Sequence, residues 1–323
     1  KQKTAYEIGV RLVGSEMCIR DRSKSMTWES TTTTRARGIV LASALMAVTL
    51  LTACTSGTAT SSPAATTTKA SATASTTAAP PLTGTPLPAV GTPAANPATA
   101  TTLGQRCGVG GDAPLLTLTS TDGSKVAAAN IGTGGTVALY FHQNEDSLCG
   151  WAQFATLAAQ HGVHGLLVDF CGFGQSTCTP AVTADPAAQV ALAVDWAKAN
   201  GATRITLVGA SMGGSIALAY AAKVKSDAVV DISGPYAWKS VPDAVTSATP
   251  LTQPLLIAAA TADSDVSPEL LQAAVEASAS THKVFLKAAS GHGWQLLSDG
   301  AAPGTLSAIG ARALQWINGD YAG

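Results

Sequence analysis

Along the last two-thirds of the chain, short uninterrupted apolar runs bounded by turn residues alternate with longer alanine-rich or amphipathic stretches. Runs of four to six apolar residues with no polar alternation suit strands buried on both faces. They predict strands over 115–119, 137–142, 165–169, 205–208, 228–232, 255–260 and 283–286. The stretches between them predict helices over 151–160, 186–200, 213–223, 268–278 and 305–318. Asp185-Pro186 and Ser267-Pro268 each place a capping side chain before a proline, and Asn200-Gly201 supplies a stop. Strands that alternate with helices imply an α/β domain: a mostly parallel central sheet with helices on both faces.

Upstream, the pattern disappears. Residues 55–102 are almost entirely Thr, Ser, Ala, Pro and Gly, a composition with too little apolar surface to offset the entropy of ordering. The expectation is a disordered linker over 54–102 and one globular domain over 103–323, about 220 residues, within the range of a single core. The 323-residue chain is 46% hydrophobic and 12% charged, with a formal net charge of -1. No basic face is available to neutralise phosphates, which argues against a nucleic-acid partner.

Ahead of the linker, Arg35 and Arg37 precede an apolar run over 38–51 that ends in Leu51-Thr52-Ala53-Cys54. The run is short for a membrane span and has the basic flank of an export signal. Its last four residues resemble the bacterial lipobox. That resemblance implies a signal peptide over 26–53, lipidation at Cys54, and an exported domain tethered to the membrane as a lipoprotein. Plain secretory cleavage beside an incidental Cys54 is the alternative. Residues 1–25 are set aside, because Met17-Cys18-Ile19-Arg20-Asp21 resembles a translated sequencing-adapter end; an ordinary N-terminal extension is the other reading.

Of six cysteines, Cys107, Cys149, Cys171 and Cys178 fall in the domain. An even number in an exported domain favours two disulfides, for which three pairings exist. The short loop between Cys171 and Cys178 favours that pair, which leaves Cys107 with Cys149; a free thiol is the less favoured reading. Neither the cysteines nor the five histidines stand at zinc-ligand spacing, so no metal and no cofactor is expected.

The chemistry concentrates at Gly209-Ala210-Ser211-Met212-Gly213, directly after the apolar run 205–208 and at the head of a helical stretch. A GxSxG pentad alone is a weak signal; its strand-turn-helix setting gives it weight. Glycine is required at 209 and 213 because side chains there would collide across a tight crossing. Downstream stand Asp263 and, in Gly291-His292-Gly293-Trp294, a histidine with small neighbours. The order Ser, Asp, His after such an elbow resembles the alpha/beta-hydrolase fold family over roughly residues 110–320. The resemblance implies Ser211 as nucleophile, His292 as general base and Asp263 as the acid that orients it, with Asp265 a local competitor and Asp231 a remote one. It also implies an oxyanion hole built from the Met212 N–H and a second N–H, of Gln143 or Asn144, in the loop Tyr140-Phe141-His142-Gln143-Asn144. Gln143 stands where the family usually has glycine, and His142 is expected to brace that loop. Asp169-Phe170-Cys171-Gly172-Phe173-Gly174-Gln175-Ser176 resembles the family's structural turn beside it. His161, His164 and His282 read as surface residues.

Residues 234–253 leave room for little or no lid, so an open site is expected, and Tyr236, Trp238 and Trp294 are candidate pocket walls with simple packing as the other reading. The leading expectation is a cofactor-free serine ester hydrolase acting on small-molecule or surface-exposed esters. Acyl transfer to a cell-envelope alcohol and a non-catalytic binding lipoprotein are the alternatives; peptide cleavage stays open, because fold resemblance does not choose between ester and amide.

Overall fold

The computed structural model describes residues 82–322. The expected signal peptide over 26–53, Cys54, and residues 54–81 of the expected linker lie outside the described residues. Eight strands, β1 (Leu115–Thr119), β2 (Lys125–Ile131), β3 (Thr136–Phe141), β4 (His164–Val168), β5 (Arg204–Ala210), β6 (Ala228–Ile232), β7 (Leu255–Ala260) and β8 (Lys283–Ala288), form one sheet. Their spatial order is β1-β2-β4-β3-β5-β6-β7-β8. β2 runs antiparallel to β1 and to β4, and from β4 to β8 every pairing is parallel.

β2 is absent from the expected set. Its Val126-Ala127-Ala128-Ala129 has weak intrinsic strand preference. It becomes a strand because Ala128 to Ile131 register against Val168 to Gly165 of β4 while its other edge pairs with β1. The helices are α1 (Leu103–Cys107), α2 (Cys149–Gln160), α3 (Pro180–Thr183), α4 (Pro186–Ala199), α5 (Met212–Val224), α6 (Ala244–Ala248), α7 (Pro268–Ala277) and α8 (Ala308–Ile317). Asp185 caps α4 as expected, accepting from the N–H of Ala187 and Ala188 at 3.0 and 3.3 Å. Ser267 precedes Pro268 but makes no capping bond. α8 begins later than its pattern suggests because Ser307 Oγ accepts from Gly310 N–H at 2.9 Å and fixes the start there.

Alternation along the central strands feeds two cores. Val208 and Ala210 join Trp151 and Phe154 of α2 and Leu314 and Trp316 of α8 on one face. Ile205 and Leu207 join Val190 of α4, Ile216 of α5 and Leu271 of α7 on the other. This is the doubly covered sheet that the apolar runs predicted. The connection from β6 to β7 holds α6, which packs on α5 and α7.

Two findings change the picture drawn from sequence. Residues 82–102, counted there as linker, lie along the domain. Gly84 N–H donates to Leu306 O at 2.8 Å, Leu306 N–H to Thr85 O at 2.8 Å, Leu87 N–H to Gly304 O at 2.7 Å and Gly91 N–H to Gly108 O at 2.7 Å. Leu82 and Leu87 also pack on the first core. Composition failed here because this strap uses backbone groups and two leucines, not a periodic apolar face. His164 is no surface residue: it is 6% exposed, with its ring nitrogens 2.7 Å from Asn130 Oδ1 and 3.1 Å from Gly134 O. The expected disulfides, Cys107–Cys149 and Cys171–Cys178, are both formed. Among the described residues no helix is long and apolar enough to cross a membrane.

Candidate active site

β5 ends at Ala210 and α5 starts at Met212, so a single residue, Ser211, makes the whole reversal. Its backbone is forced to φ 50° and ψ -121°, a conformation that costs a non-glycine residue on the order of 1–3 kcal/mol and persists only where surrounding structure imposes it. Ser211 N–H is held by Ile232 O at 2.9 Å, and Ser211 O accepts from Gly214 N–H at 2.8 Å. The glycines are steric necessities. A Cβ at Gly209 would overlap the Gly213 carbonyl, one at Gly213 the Phe141 carbonyl, and one at Gly214 the Asp231 carboxylate. The Gly213 contact has a further consequence, since it lets the head of α5 approach the end of β3 and the loop that follows. Met212, as first residue of α5, has an N–H with no intrahelical acceptor.

That loop begins at His142, which is fully buried. His142 Nε2 accepts from Phe170 N–H at 2.9 Å, and Nδ1 lies 2.7 Å from Gln143 O. These contacts require a neutral ring with its proton on Nδ1, and burial pushes its pKa down. His142 therefore ties the loop to the turn after β4. Asp169 opens that turn and is fully buried. Its carboxylate accepts from Arg106 Nη2 at 2.6 Å, from Leu148 N–H at 2.8 Å and from Gln175 N–H at 2.8 Å. Leu148 precedes Cys149, so Asp169 and the Cys107–Cys149 disulfide together pin the far end of the loop. Arg106 was not singled out by sequence: it stands 63 residues from Asp169, and only the fold brings them together.

The histidine segment is shaped by glycines at φ 107° and 57°, Gly291 and Gly293. At Gly293 a Cβ would also overlap the Gln143 side chain. His292 N–H donates to Gln295 Oε1 at 3.0 Å. His292 Nδ1 lies 2.7 Å from Asp263 Oδ2, whose side chain is 3% exposed against 24% for the imidazole. Asp263 Oδ1 accepts from Asp265 N–H at 3.0 Å. Of the three candidate acids, Asp263 holds the imidazole. Asp265 is exposed, and Asp231 is buried with one oxygen on Gly234 N–H at 2.8 Å and the other unpartnered. Asp263, Asp265 and His292 also bring ligand-type atoms within 4.8 Å of one another.

Ser211 and His292 line one cleft of about 550 Å³ with Gln143, Asn144, Glu145, Trp238 and Asp265. Both candidate oxyanion-loop residues thus reach the cleft. Of the expected walls, Trp238 lines it, whereas Tyr236 packs on the second core and Trp294 packs edge-on against Trp151 at 6.4 Å. Glu145 was missed by sequence; its φ of 58° is a property of the folded loop with no signature in residue spacing.

The strand order, the strained serine between β5 and α5 and the acid after β7 define an alpha/beta-hydrolase fold. The alpha/beta hydrolase fold family is matched by sequence over residues 137–243. Among solved structures, the protein resembles DcsB, in complex with its substrate analogue, at 16% identity and a TM-score of 0.54 over 65% of this chain and 100% of that one. The dienelactone hydrolase of Anabaena variabilis gives 19% identity and 0.51 over 64% and 97%. The thioesterase domain from the curacin biosynthetic pathway gives 14% and 0.50 over 64% and 99%. At these identities the likeness is one of fold. No curated protein matches the chain by sequence.

Proposed function

We propose that the protein is a serine hydrolase that cleaves carboxylic esters through an acyl-enzyme. The observation that carries this reading is the 2.7 Å contact between His292 Nδ1 and Asp263 Oδ2 in the same cleft as a strained, 7% exposed Ser211. Asp263 keeps the imidazole proton on Nδ1 and leaves Nε2 free to act as base. His292 takes the Ser211 proton as Oγ bonds to the ester carbon. The Met212 N–H and an N–H of Gln143 or Asn144 stabilise the oxyanion. Collapse of the intermediate breaks the carbon–oxygen bond, and His292 returns the proton to the departing alcohol. A water then attacks the acyl-enzyme with the same proton relay, releasing the acid and restoring Ser211.

Ser211→Ala is expected to abolish hydrolysis of a short-chain p-nitrophenyl ester, and an alkyl fluorophosphonate is expected to label Ser211 and no other residue by peptide mass spectrometry. Full activity in Ser211→Ala, or a parent protein that neither turns over esters nor takes the label, overturns the assignment.

A further inference from the structure

The Asp, Glu, Lys and Arg side chains that line the cleft around Ser211 are all acidic. They are two carboxylate side chains, Glu145 and Asp265. They come from different elements, Glu145 from the loop after β3 and Asp265 from the turn after β7. Its polar neutral wall is Gln143 and Asn144, and its aromatic wall is Trp238. Asp146 follows Glu145 in the same loop, half-buried. Glu145 is held at φ 58°, where glutamate is disfavoured; strained non-glycine residues of this kind cluster where a side chain must be aimed at a ligand. Lys239 lies with Nζ 5.0 Å from the Trp238 ring centroid, and it is not among the lining residues.

We infer that Glu145 and Asp265 make this cleft select esters that carry a positive charge close to the scissile bond and reject anionic ones; the inference rests on the serine-hydrolase reading of Ser211. Two unit charges each about 7 Å from a ligand cation in largely aqueous surroundings favour it by roughly tenfold over a neutral isostere and disfavour an anion by a similar factor. Exposed charges are screened, so the preference shrinks as salt rises toward 1 M. The same field acts on products: hydrolysis creates a carboxylate beside two carboxylates, and their repulsion favours its departure.

The test uses the full chain and three phosphonate probes that share one reactive group and differ in a trimethylammonium, tert-butyl or sulfonate arm. The readout is the rate of Ser211 phosphonylation by mass spectrometry, which needs no knowledge of the natural ester. The expected order is cation over neutral over anion, with a cation-to-anion ratio of roughly 100 in 10 mM salt that collapses in 1 M salt. In Glu145→Gln/Asp265→Asn the ratio is expected to fall to within a few-fold of one; Glu145→Gln and Asp265→Asn singly should each remove part of it. Equal rates for all three probes in the parent, or a ratio unchanged in the double variant, overturn the inference while leaving the nucleophile assignment standing. Failure of every probe to label Ser211 overturns the serine-hydrolase reading itself, and the inference with it.

Discussion

Asp231 is the buried acid that the proposed triad leaves unused, and its titration makes a quantitative claim about stability. It lies at the end of β6, 1% exposed, covered so closely that a Cβ at Gly214 or Gly234 would overlap its carboxylate. Among the described residues, Gly234 N–H at 2.8 Å is its one hydrogen-bond partner and Oδ2 has none. Burial disfavours the charged form and pushes the carboxyl up from 3.8 to about 7. An unfolded aspartate ionises near 3.9, so between about pH 4 and pH 7 the native state holds a proton that the unfolded chain has released. The sign follows: the contribution to stability is complete below about pH 4, declines by about 1.4 kcal/mol for each pH unit, and is fully lost above about pH 7. Over the interval the loss is on the order of 4 kcal/mol, a large part of the 5–15 kcal/mol typical of a domain. Asp231→Asn keeps an acceptor for Gly234 and removes the ionisation. Urea unfolding of parent and variant at half-unit steps from pH 4.5 to 8 is expected to show the variant gaining on the parent up to about pH 7 and the difference then levelling. A difference that stays constant across that range would show that Asp231 does not titrate there and that burial without a partner is not what governs it.

Two further outcomes follow from the same geometry. Asp263→Asn should lower kcat by about 10³–10⁴, because an amide facing Nδ1 favours the wrong imidazole tautomer, whereas Asp265→Asn should change kcat by less than about tenfold; steady-state kinetics on a neutral ester decide it, and equal losses would break the assignment of the acid. Removal of everything before residue 103 deletes the strap, with four backbone hydrogen bonds to residues 108 and 304–306 and two packed leucines. At about 0.5–1.5 kcal/mol per bond and about 1 kcal/mol or more per half-buried leucine, the urea midpoint should fall by the equivalent of roughly 4 kcal/mol or more relative to a chain that starts at residue 82; equal midpoints would show that the strap only rests on the surface.

The sequence by itself determined the elements whose cause is local. Uninterrupted apolar runs gave the central strands, because a strand buried on both faces has no polar alternation to preserve. The cap at Asp185, the elbow glycines at 209 and 213 and the short Cys171–Cys178 loop were legible for the same reason: each is a constraint between near neighbours. The order of Ser211, Asp263 and His292 was legible as a family pattern, though spacing alone left Asp265 and Asp231 open. Tertiary structure decided what depends on groups far apart in the chain. It chose Asp263 by the direction in which the turn after β7 aims its carboxylate, converted the alanines of β2 into a strand by giving them two partners, and laid residues 82–102 on the domain through backbone groups that composition does not register. It also brought Arg106 to Asp169 and put Glu145 and Asp265 on the wall of one cleft. Hydrophobic periodicity encodes burial, which is a property of single elements, whereas the electrostatics of a site depend on distances between elements, and those exist only once the chain has closed on itself.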